Sequence, residues 1–321
     1  MAINKLKTLY LLEILKEYSD VDNILSMSDI QNKMQAIYNE TIDRRTVYDS
    51  IEIFELLGYT ISKYEDNGKG YYLETREFEL GEVRLLMDSI YLNNSIPASQ
   101  TVELIKKLQK FMSQSKRKNY RNLLVNRDAT KTTNKEVFLT VEELDEAITN
   151  KKQVEFDYMK YDFDKKLVPR RKAKYIVNPY AMVIVDGEYY LLCSYTNSEI
   201  INSYVIPKIK NIRQLDEPID EQKTIDIEEI VRNSTYMFSG EPLSVLLRCH
   251  HRILDHVITR FGKDITITDN QDETFNVRVK GTENGIIIWA SHFLDACEIL
   301  EPFEVREKII NNIKANWYHE N

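Results

Sequence analysis

Apolar residues recur in distinct rhythms along the chain. Leu6, Leu9, Leu12, Ile14 and Leu15 fall close to a 3.6-residue period, which predicts an amphipathic helix over residues 3–18. Ser26-Met27-Ser28 offers N-cap oxygens to a second, shorter helix through Ile30 and Met34. After a turn at 38–41, a third helix is expected over about 43–57, with Val47, Ile51, Phe54 and Leu57 on one face. Gly58 stands where a helix end takes a left-handed residue. Two aromatic-rich strands, 59–64 and 71–73, follow, and Asn67-Gly68 between them is a hairpin signal because both residues tolerate positive φ. Three helices and a hairpin make the order of a winged helix-turn-helix, whose third helix enters the DNA major groove.

Further along, Leu80, Val83, Leu86, Met87 and Ile90 mark a helix that ends at 93–97. A second helix starts near 99, with Leu104, Ile105, Leu108 and Phe111 apolar and Lys106, Lys107 and Lys110 on its polar side. Residues 125–135 are almost devoid of apolar side chains and read as a linker or exposed loop. Thr140 and Glu143 form a capping box that opens a short helix over 140–148. Strands are expected at 153–158, 175–177, 180–185, 188–194, 201–206 and 209–215, with Asp186-Gly187 as one hairpin turn. Short strands with tight turns suggest a small, strongly bent sheet or barrel. Later strands at 245–248, 265–268, 275–279 and 286–289 alternate with helices at 253–261 and 291–299, a ferredoxin-like α+β pattern. A last helix, 304–318, aligns Val305, Ile309, Ile313 and Trp317. The expected fold is α+β and multidomain. It comprises a winged helix-turn-helix (1–80), a helical linker (81–135), a β-barrel domain (136–218) and a ferredoxin-like C-terminal domain (219–321).

Composition excludes several classes. With 43% hydrophobic and 29% charged residues, nine Gly and seven Pro, the 321-residue chain is neither collagenous nor of low complexity. No apolar run approaches the roughly 18 residues of a membrane helix, so no membrane partner and no signal peptide are expected. Three widely spaced cysteines without metal spacing read as reduced thiols in a cytoplasm. The net charge of -8 argues at first against a nucleic-acid partner. Its distribution changes that: residues 1–80 carry -6 and 216–321 carry -9, but 98–135 carry +8 and 151–174 carry +5.

The candidate chemistry lies mainly in cations and aromatics. Arg44, Arg45, Thr46, Tyr48 and Asp49 occupy the N-terminal solvent face of helix three, where an Arg can pair with phosphate or guanine and the helix dipole favours phosphate. Lys63 and Lys69 are candidates for wing contacts to the DNA backbone. The bland alternative is a helical subdomain whose arginines are only solvated, and the net -6 weighs on that side. The lysines near 106–118 fit either a solubilising face or added phosphate contacts or a dimer surface. In the densest basic run, 165–174, Arg170 and Arg171 stand with Tyr158, Tyr161 and Tyr175 nearby. Bases can stack there while cations hold the backbone, or the run is a solvated hairpin whose tyrosines belong to the core. Cys249, His250, His251 and His256 form the one cluster that suggests a metal. Adjacent strand histidines point to opposite faces, however, so no metal site is expected. No Walker A, G-x-G-x-x-G, G-x-S-x-G or H-E-x-x-H motif occurs, so neither an enzyme nor a cofactor is expected.

One stretch is specific. Tyr158, Val177-Asn178-Pro179-Tyr180, Asp186-Gly187-Glu188-Tyr189-Tyr190-Leu191, Tyr204 through Ile209, and Leu215-Asp216-Glu217-Pro218 together resemble the WYL domain, with Tyr189-Tyr190-Leu191 as its name-giving strand. A WYL domain behind a helix-turn-helix looks like the bacterial WYL transcriptional regulators. Arg45-Thr46-Val47-Tyr48-Asp49 resembles the start of their recognition helix, with Tyr48 in place of an Arg. Phe238-Ser239-Gly240, residues 245–248, Trp289 and Ile299-Leu300-Glu301-Pro302 are similar to their C-terminal WCX extension. The resemblance implies an Sm/SH3-like barrel that binds a nucleotide or single-stranded nucleic acid as effector. By position the matching site residues are Tyr158, Tyr180, Tyr190 and Lys208. Val205 and Pro207 depart from the pattern, since the family commonly has Arg and Asp there, and the missing Arg removes a fork suited to phosphate. Pro207 also implies a sheet edge or bulge. The expected function is a DNA-binding regulator, a repressor that binds a palindromic or two-part double-stranded operator as a homodimer. The alternative is a single-stranded nucleic-acid binder with the WYL barrel as its main site.

Overall fold

The computed structural model describes residues 2–119, 130–185, 187–198, 200–219, 226–228 and 240–317. Expectations placed on Asp186, Phe238, Ser239 and residues 125–129 lie outside them. The chain divides into two units, Met1–Thr133 and Asn134–Asn321.

In the first unit, helices α1 (Ala2–Tyr18), α2 (Met27–Tyr38) and α3 (Arg44–Leu56) enclose Leu11, Leu15, Ile30, Met34, Val47, Ile51 and Phe54. Each start has its physical cause. Ser26 and Asp29 cap α2 reciprocally, and the Asp43 carboxylate accepts the Thr46 N–H (2.9 Å) at the start of α3. Gly58, at φ 89, lets the chain turn back, so that its N–H reaches Glu55 O and the Tyr59 N–H reaches Phe54 O. Leu9 and Leu57, expected inward, face solvent instead. The Thr8 and Ser50 hydroxyls meet at 2.9 Å across the α1–α3 seam, which turns Leu11 and Leu12 into the core and Leu9 out of it.

The wing differs from the two-residue turn expected at Asn67-Gly68. Strands β1 (Ile61–Ser62) and β2 (Tyr72–Leu73) pair antiparallel, but a helical turn, α4 (Tyr64–Asn67), sits between them and Gly68 ends it. Asn67 explains the difference. Its Nδ2 donates to Ser62 Oγ and Gly70 O, and its Oδ1 accepts the N–H groups of Lys69 and Gly70, so one side chain closes a longer connection. Gly70 is required by proximity, because a Cβ there would lie 2.2 Å from Leu25 O, where Leu25 and Tyr71 pair through two backbone hydrogen bonds.

Helices α5 (Leu80–Leu92), α6 (Ala98–Leu108) and α7 (Gln114–Asn119) follow around Val83, Met87, Ile105 and Met112. Polar contacts fasten α7 to α1 and the turn after it. Arg117 grips both Glu17 oxygens (2.8 and 2.6 Å), and Lys116 pairs with Asp22. The Asp20 carboxylate, itself buried, accepts from Ser113 (2.5 Å), Ser115 (2.6 Å), Asn23 and the Asp22 N–H. Burial pushes the Asp20 carboxyl up, but these hydrogen bonds outweigh it and hold the group well below the usual carboxylate range.

The second unit begins with α8 (Val137–Thr149), which starts before the expected capping box. The Thr140 hydroxyl donates to Glu136 O inside the helix, while Asn134 Oδ1 accepts the Glu136 N–H and so provides the real start. Strands β3 (Lys152–Tyr161), β4 (Leu167–Pro169), β5 (Tyr175–Val185), β6 (Glu188–Ser194), β7 (Asn202–Val205) and β8 (Ile209–Pro218) form one curled sheet in the order β4-β3-β5-β6-β7, with β8 returning to pair with β3. Residues 175–177 and 180–185 are one strand, its register shifting between Pro179 and Ala181. β4, three apolar residues inside the basic run, is too short to show a period in the pattern. Pro207 lies in a 3-10 turn, Ile206–Lys208, between β7 and β8.

In the remainder, β9 (Pro242–His250), α9 (Leu254–Phe261), β10 (Thr266–Asp269), β11 (Thr274–Thr282), α10 (Glu283–Ser291), β12 (Cys297–Glu301) and α11 (Phe303–Lys314) build an antiparallel sheet of order β10-β11-β9-β12. Residues 286–289 are helical, not a strand, and 291–299 lead through a turn into β12. The run Ile286 to Trp289 has the β-branched composition of a strand, but burying Ile286, Ile287, Trp289 and Ala290 together on a connection between two strands favours the helix. Trp317, expected on the last apolar stripe, lies beyond α11 and is fully exposed.

The Asp20 contacts give a testable sign. A carboxyl depressed in the folded state stabilises above its unfolded value, near pH 4, and this is lost as pH falls through and below that value. Asp20→Asn should lower the unfolding free energy at neutral pH by about 2 kcal/mol. It should also flatten the loss of stability below about pH 4, measured by urea denaturation at several pH values.

Candidate nucleic-acid interface

On α3, Arg44, Arg45, Tyr48 and Asp49 are exposed, as expected for its solvent face. Several of these groups are already engaged. The Thr46 hydroxyl donates to Asp43 Oδ2 (2.9 Å), so this side chain belongs to the helix cap. The same capping holds the Asp43 carboxyl below its usual range, so a negative charge sits where a phosphate was expected to approach the helix N-terminus. The Tyr48 hydroxyl hydrogen-bonds the buried Tyr71 of the wing, and burial together with this bond pushes the Tyr71 hydroxyl up. Lys63 is paired with Glu55 (2.6 Å), which raises its pKa. Glu52, Glu55 and Glu65 surround this end of α3, where a cavity of about 380 Å³ is lined by Tyr48, Ile51, Glu52, Lys63, Glu65 and Tyr71. Arg44, Arg45 and Lys69 therefore remain as exposed cations with no carboxylate partner among the described residues.

In the curled sheet, Tyr158 is a core residue at 8% exposure. Its ring packs edge-on against Tyr204 (4.8 Å) and Tyr175 (5.9 Å), and its oxygen accepts the Val205 N–H (3.2 Å). Burial pushes its hydroxyl up. A ligand reaches Tyr158 only by displacing core, so it is not brought together with the exposed candidates. Tyr180 and Tyr190 are half-buried on β5 and β6. Tyr180 Oη and Ser194 Oγ share a hydrogen bond (2.7 Å) at the end of a buried polar chain through Asn178 and Gln153, in which Gln153 Nε2 donates to Asn178 Oδ1 (2.8 Å). Lys208 is half-exposed in the 3-10 turn. Asn134, fully buried, donates to both Pro207 O (3.0 Å) and Ile209 O (2.8 Å), which fixes the backbone on either side of Lys208. Asn178 lies within the Val177-Asn178-Pro179-Tyr180 stretch but carries no charge that marks it as a site residue, and Asn134 and Gln153 carry neither a charge nor a motif.

The basic run splits in two. Arg171 lies over the Tyr175 ring (3.7 Å) and donates to Ala173 O and Lys174 O, while Lys174 sits between Glu155 (3.8 Å) and Asp157 (3.6 Å). These two hold the fold. Lys165, Lys166, Arg170 and Lys172 are exposed. Away from this region, His250 ends β9 facing Glu273 (3.7 Å), His251 opens the following 3-10 turn facing Asp269 (3.4 Å), and His256 packs on Phe293. No described helix is long and apolar enough to cross a membrane.

Residues 140–214, from α8 into β8, match the WYL domain family. No curated protein sequence matches the chain. Among solved structures it is similar to proteasome accessory factor B/C (PafBC) of Arthrobacter aurescens, at 12% identity and a TM-score of 0.28, covering 96% of this chain and 48% of that one. It is also similar to a CRISPR Cas-related protein, at 14% identity and a TM-score of 0.36, covering 96% and 84%. The chain thus spans about half the length of PafBC, and neither likeness is close enough to carry functional weight.

Asn134→Ala should cost about 2–3 kcal/mol of stability, because two buried carbonyls lose their donor. An amide-exchange measurement should show the loss of protection centred on the 206–209 turn.

Proposed function

We propose that this chain, which carries a WYL domain at residues 140–214, is a ligand-responsive, sequence-specific DNA-binding transcriptional regulator. On this reading it is a cytoplasmic repressor that acts as a homodimer on a palindromic or two-part operator, senses a nucleotide or nucleic acid through the WYL domain, and catalyses nothing. Residues 1–80 are the winged helix-turn-helix, 81–135 the helical linker, 136–218 the Sm/SH3-like WYL barrel, and 219–321 a WCX-like dimerisation domain. The β9-α9-β10-β11-α10-β12 order supports a ferredoxin-like assignment for the last.

The observation that carries the reading is the pair Arg44 and Arg45. They are exposed at the N-terminal end of the third helix of a three-helix-and-wing unit, among neighbours whose polar groups are already satisfied. Two arginines there can reach phosphate or a guanine edge, and the acidic remainder of α3 would lie away from the duplex. The knot of Asp20, Glu17 and Arg117 supports a route for regulation, since α7 cannot shift without moving α1 and the helices packed on it. An effector that binds one arrangement better would change the population able to dock on DNA.

Fragments selected by the full chain from genomic DNA identify the operator. Arg44→Ala with Arg45→Ala should weaken that duplex at least tenfold and reduce the log–log salt slope by about 2, while the oligomeric state is unchanged. Equal affinity and slope in the double variant reject the assignment. A second reading, a single-stranded nucleic-acid binder with the WYL domain as main site, is favoured by the exposed cations at 165–172, and parallel titration of duplex and single-stranded probes separates the two.

A further inference from the structure

The end of β3 and strand β4 form a short, regular hairpin. Met159, Lys160 and Tyr161 pair with Pro169, Val168 and Leu167, and the Arg170 N–H continues the ladder to Tyr158 O (2.8 Å). Its turn is ordered by Asp162, whose N–H donates to Lys166 O, whose carbonyl accepts the Lys165 N–H, and whose Oδ1 accepts the Lys166 N–H (2.8 Å). Lys165 takes the left-handed conformation (φ 62) that lets the turn close. On this fixed tip Phe163 is fully exposed, and Tyr161 beside it is 49% exposed.

An aromatic ring held open on an ordered turn has no folding role. It leaves apolar surface in water and contributes to no core. Beyond the two acids that flank it, Asp162 and Asp164, the exposed charges of the hairpin are positive. Strand alternation and cross-strand pairing place Lys160 and Arg170 on one face of the hairpin, with Lys166 one two-residue step from Val168 on that face. Lys165 and Lys172 flank them, also exposed. The nearby carboxylates at Glu155 and Asp157 are taken by Arg213 and Lys174, and Asp162 is turned into its own loop, which leaves Asp164 as the exposed acid of the tip. Arg171, locked over Tyr175, anchors the base of the hairpin.

We propose that this hairpin is a binding site for single-stranded nucleic acid, with Phe163 as the stacking platform for a base and Lys160, Lys166 and Arg170 as contacts to the phosphates. The site is distinct from the Tyr180, Tyr190 and Lys208 positions on β5, β6 and the 3-10 turn. The chemistry selects this occupant. A flat ring accepts any base face, a cationic stripe follows a flexible polyanion, and a base paired in a duplex keeps its face hidden. The inference rests on the reading of residues 140–214 as a nucleic-acid-sensing domain, not on duplex binding by α3.

The test uses the full chain and fluorescein-labelled oligo-dT and oligo-U of about 15 nucleotides, with anisotropy measured across a salt series. Phe163→Ala should weaken binding about five- to 150-fold, and Phe163→Trp should retain it. Lys160→Gln, Lys166→Gln and Arg170→Gln together should lower the log–log salt slope by about 2. All these side chains are on the surface, so thermal unfolding should be unchanged. Wild-type affinity of Phe163→Ala for single strands overturns the proposal. So does tighter Phe163-dependent binding to vesicles containing anionic lipid than to either oligonucleotide, which would make the tip a membrane contact. If Phe163→Ala loses single strands but binds the selected operator normally, the hairpin site stands by itself. If single strands bind independently of Phe163 while the Arg44 and Arg45 variant still loses the operator, only this inference fails.

Discussion

Carboxylates outnumber cations in this chain by 51 to 43, so a cation stays available to a phosphate only where the fold keeps it away from the chain's own acids. Several cations are claimed at home: Lys63 by Glu55, Lys116 by Asp22, Arg117 by Glu17, Lys174 by Glu155 and Asp157, and Arg213 by Glu155. Such pairs contribute little stability when exposed, but each removes a positive charge from the set that can meet a polyanion. Two groups escape. Arg44 and Arg45 lie at the start of α3, ahead of its acidic half, and the cations of the β3–β4 hairpin project past the carboxylates at its base. Both escapes follow from where an element ends, since a helix start and a hairpin tip are places a chain can extend beyond its own neighbours.

The same economy of charge explains the first unit. Asp20 is a buried carboxylate with no cation in direct contact among the described residues; hydroxyls and amides satisfy it instead. Donors on both sides of a junction, Ser113 and Ser115 before and in α7 and Asn23 and the Asp22 N–H after α1, converge on it. In the second unit Asn134 has a comparable part, holding carbonyls on both sides of the turn that carries Lys208. In both units uncharged side chains hold the backbone or the carboxylate around a charged group.

Much of the fold was legible in the sequence. The helices of the first unit, the strands of the curled sheet and the capping residues Ser26 and Gly58 follow from periodicity and backbone chemistry, which act over a few residues. The errors share a cause. Residues 286–289 read as a strand because a short apolar run has no period to distinguish strand from helix. Asn67-Gly68 read as a tight turn because nothing local shows that the Asn67 side chain will close a longer loop. Among the candidate site residues, the exposure of Arg44 and Arg45 follows from their place on the polar face of α3, while Tyr158, a ligand candidate by position, is core, because a tyrosine's pattern does not say which way its ring turns.

The sequence by itself therefore determined the order of the elements, the WYL stretch and the alternation of acidic and basic blocks, since composition and local conformational preference act along the chain. Only the tertiary structure decided which charges remain free, for each ion pair joins residues the sequence keeps apart. It alone decided that Phe163 stands in water while Tyr158, five residues before it, is enclosed by aromatic rings. A side chain's exposure depends on what other segments cover it, and that is a property of the folded chain.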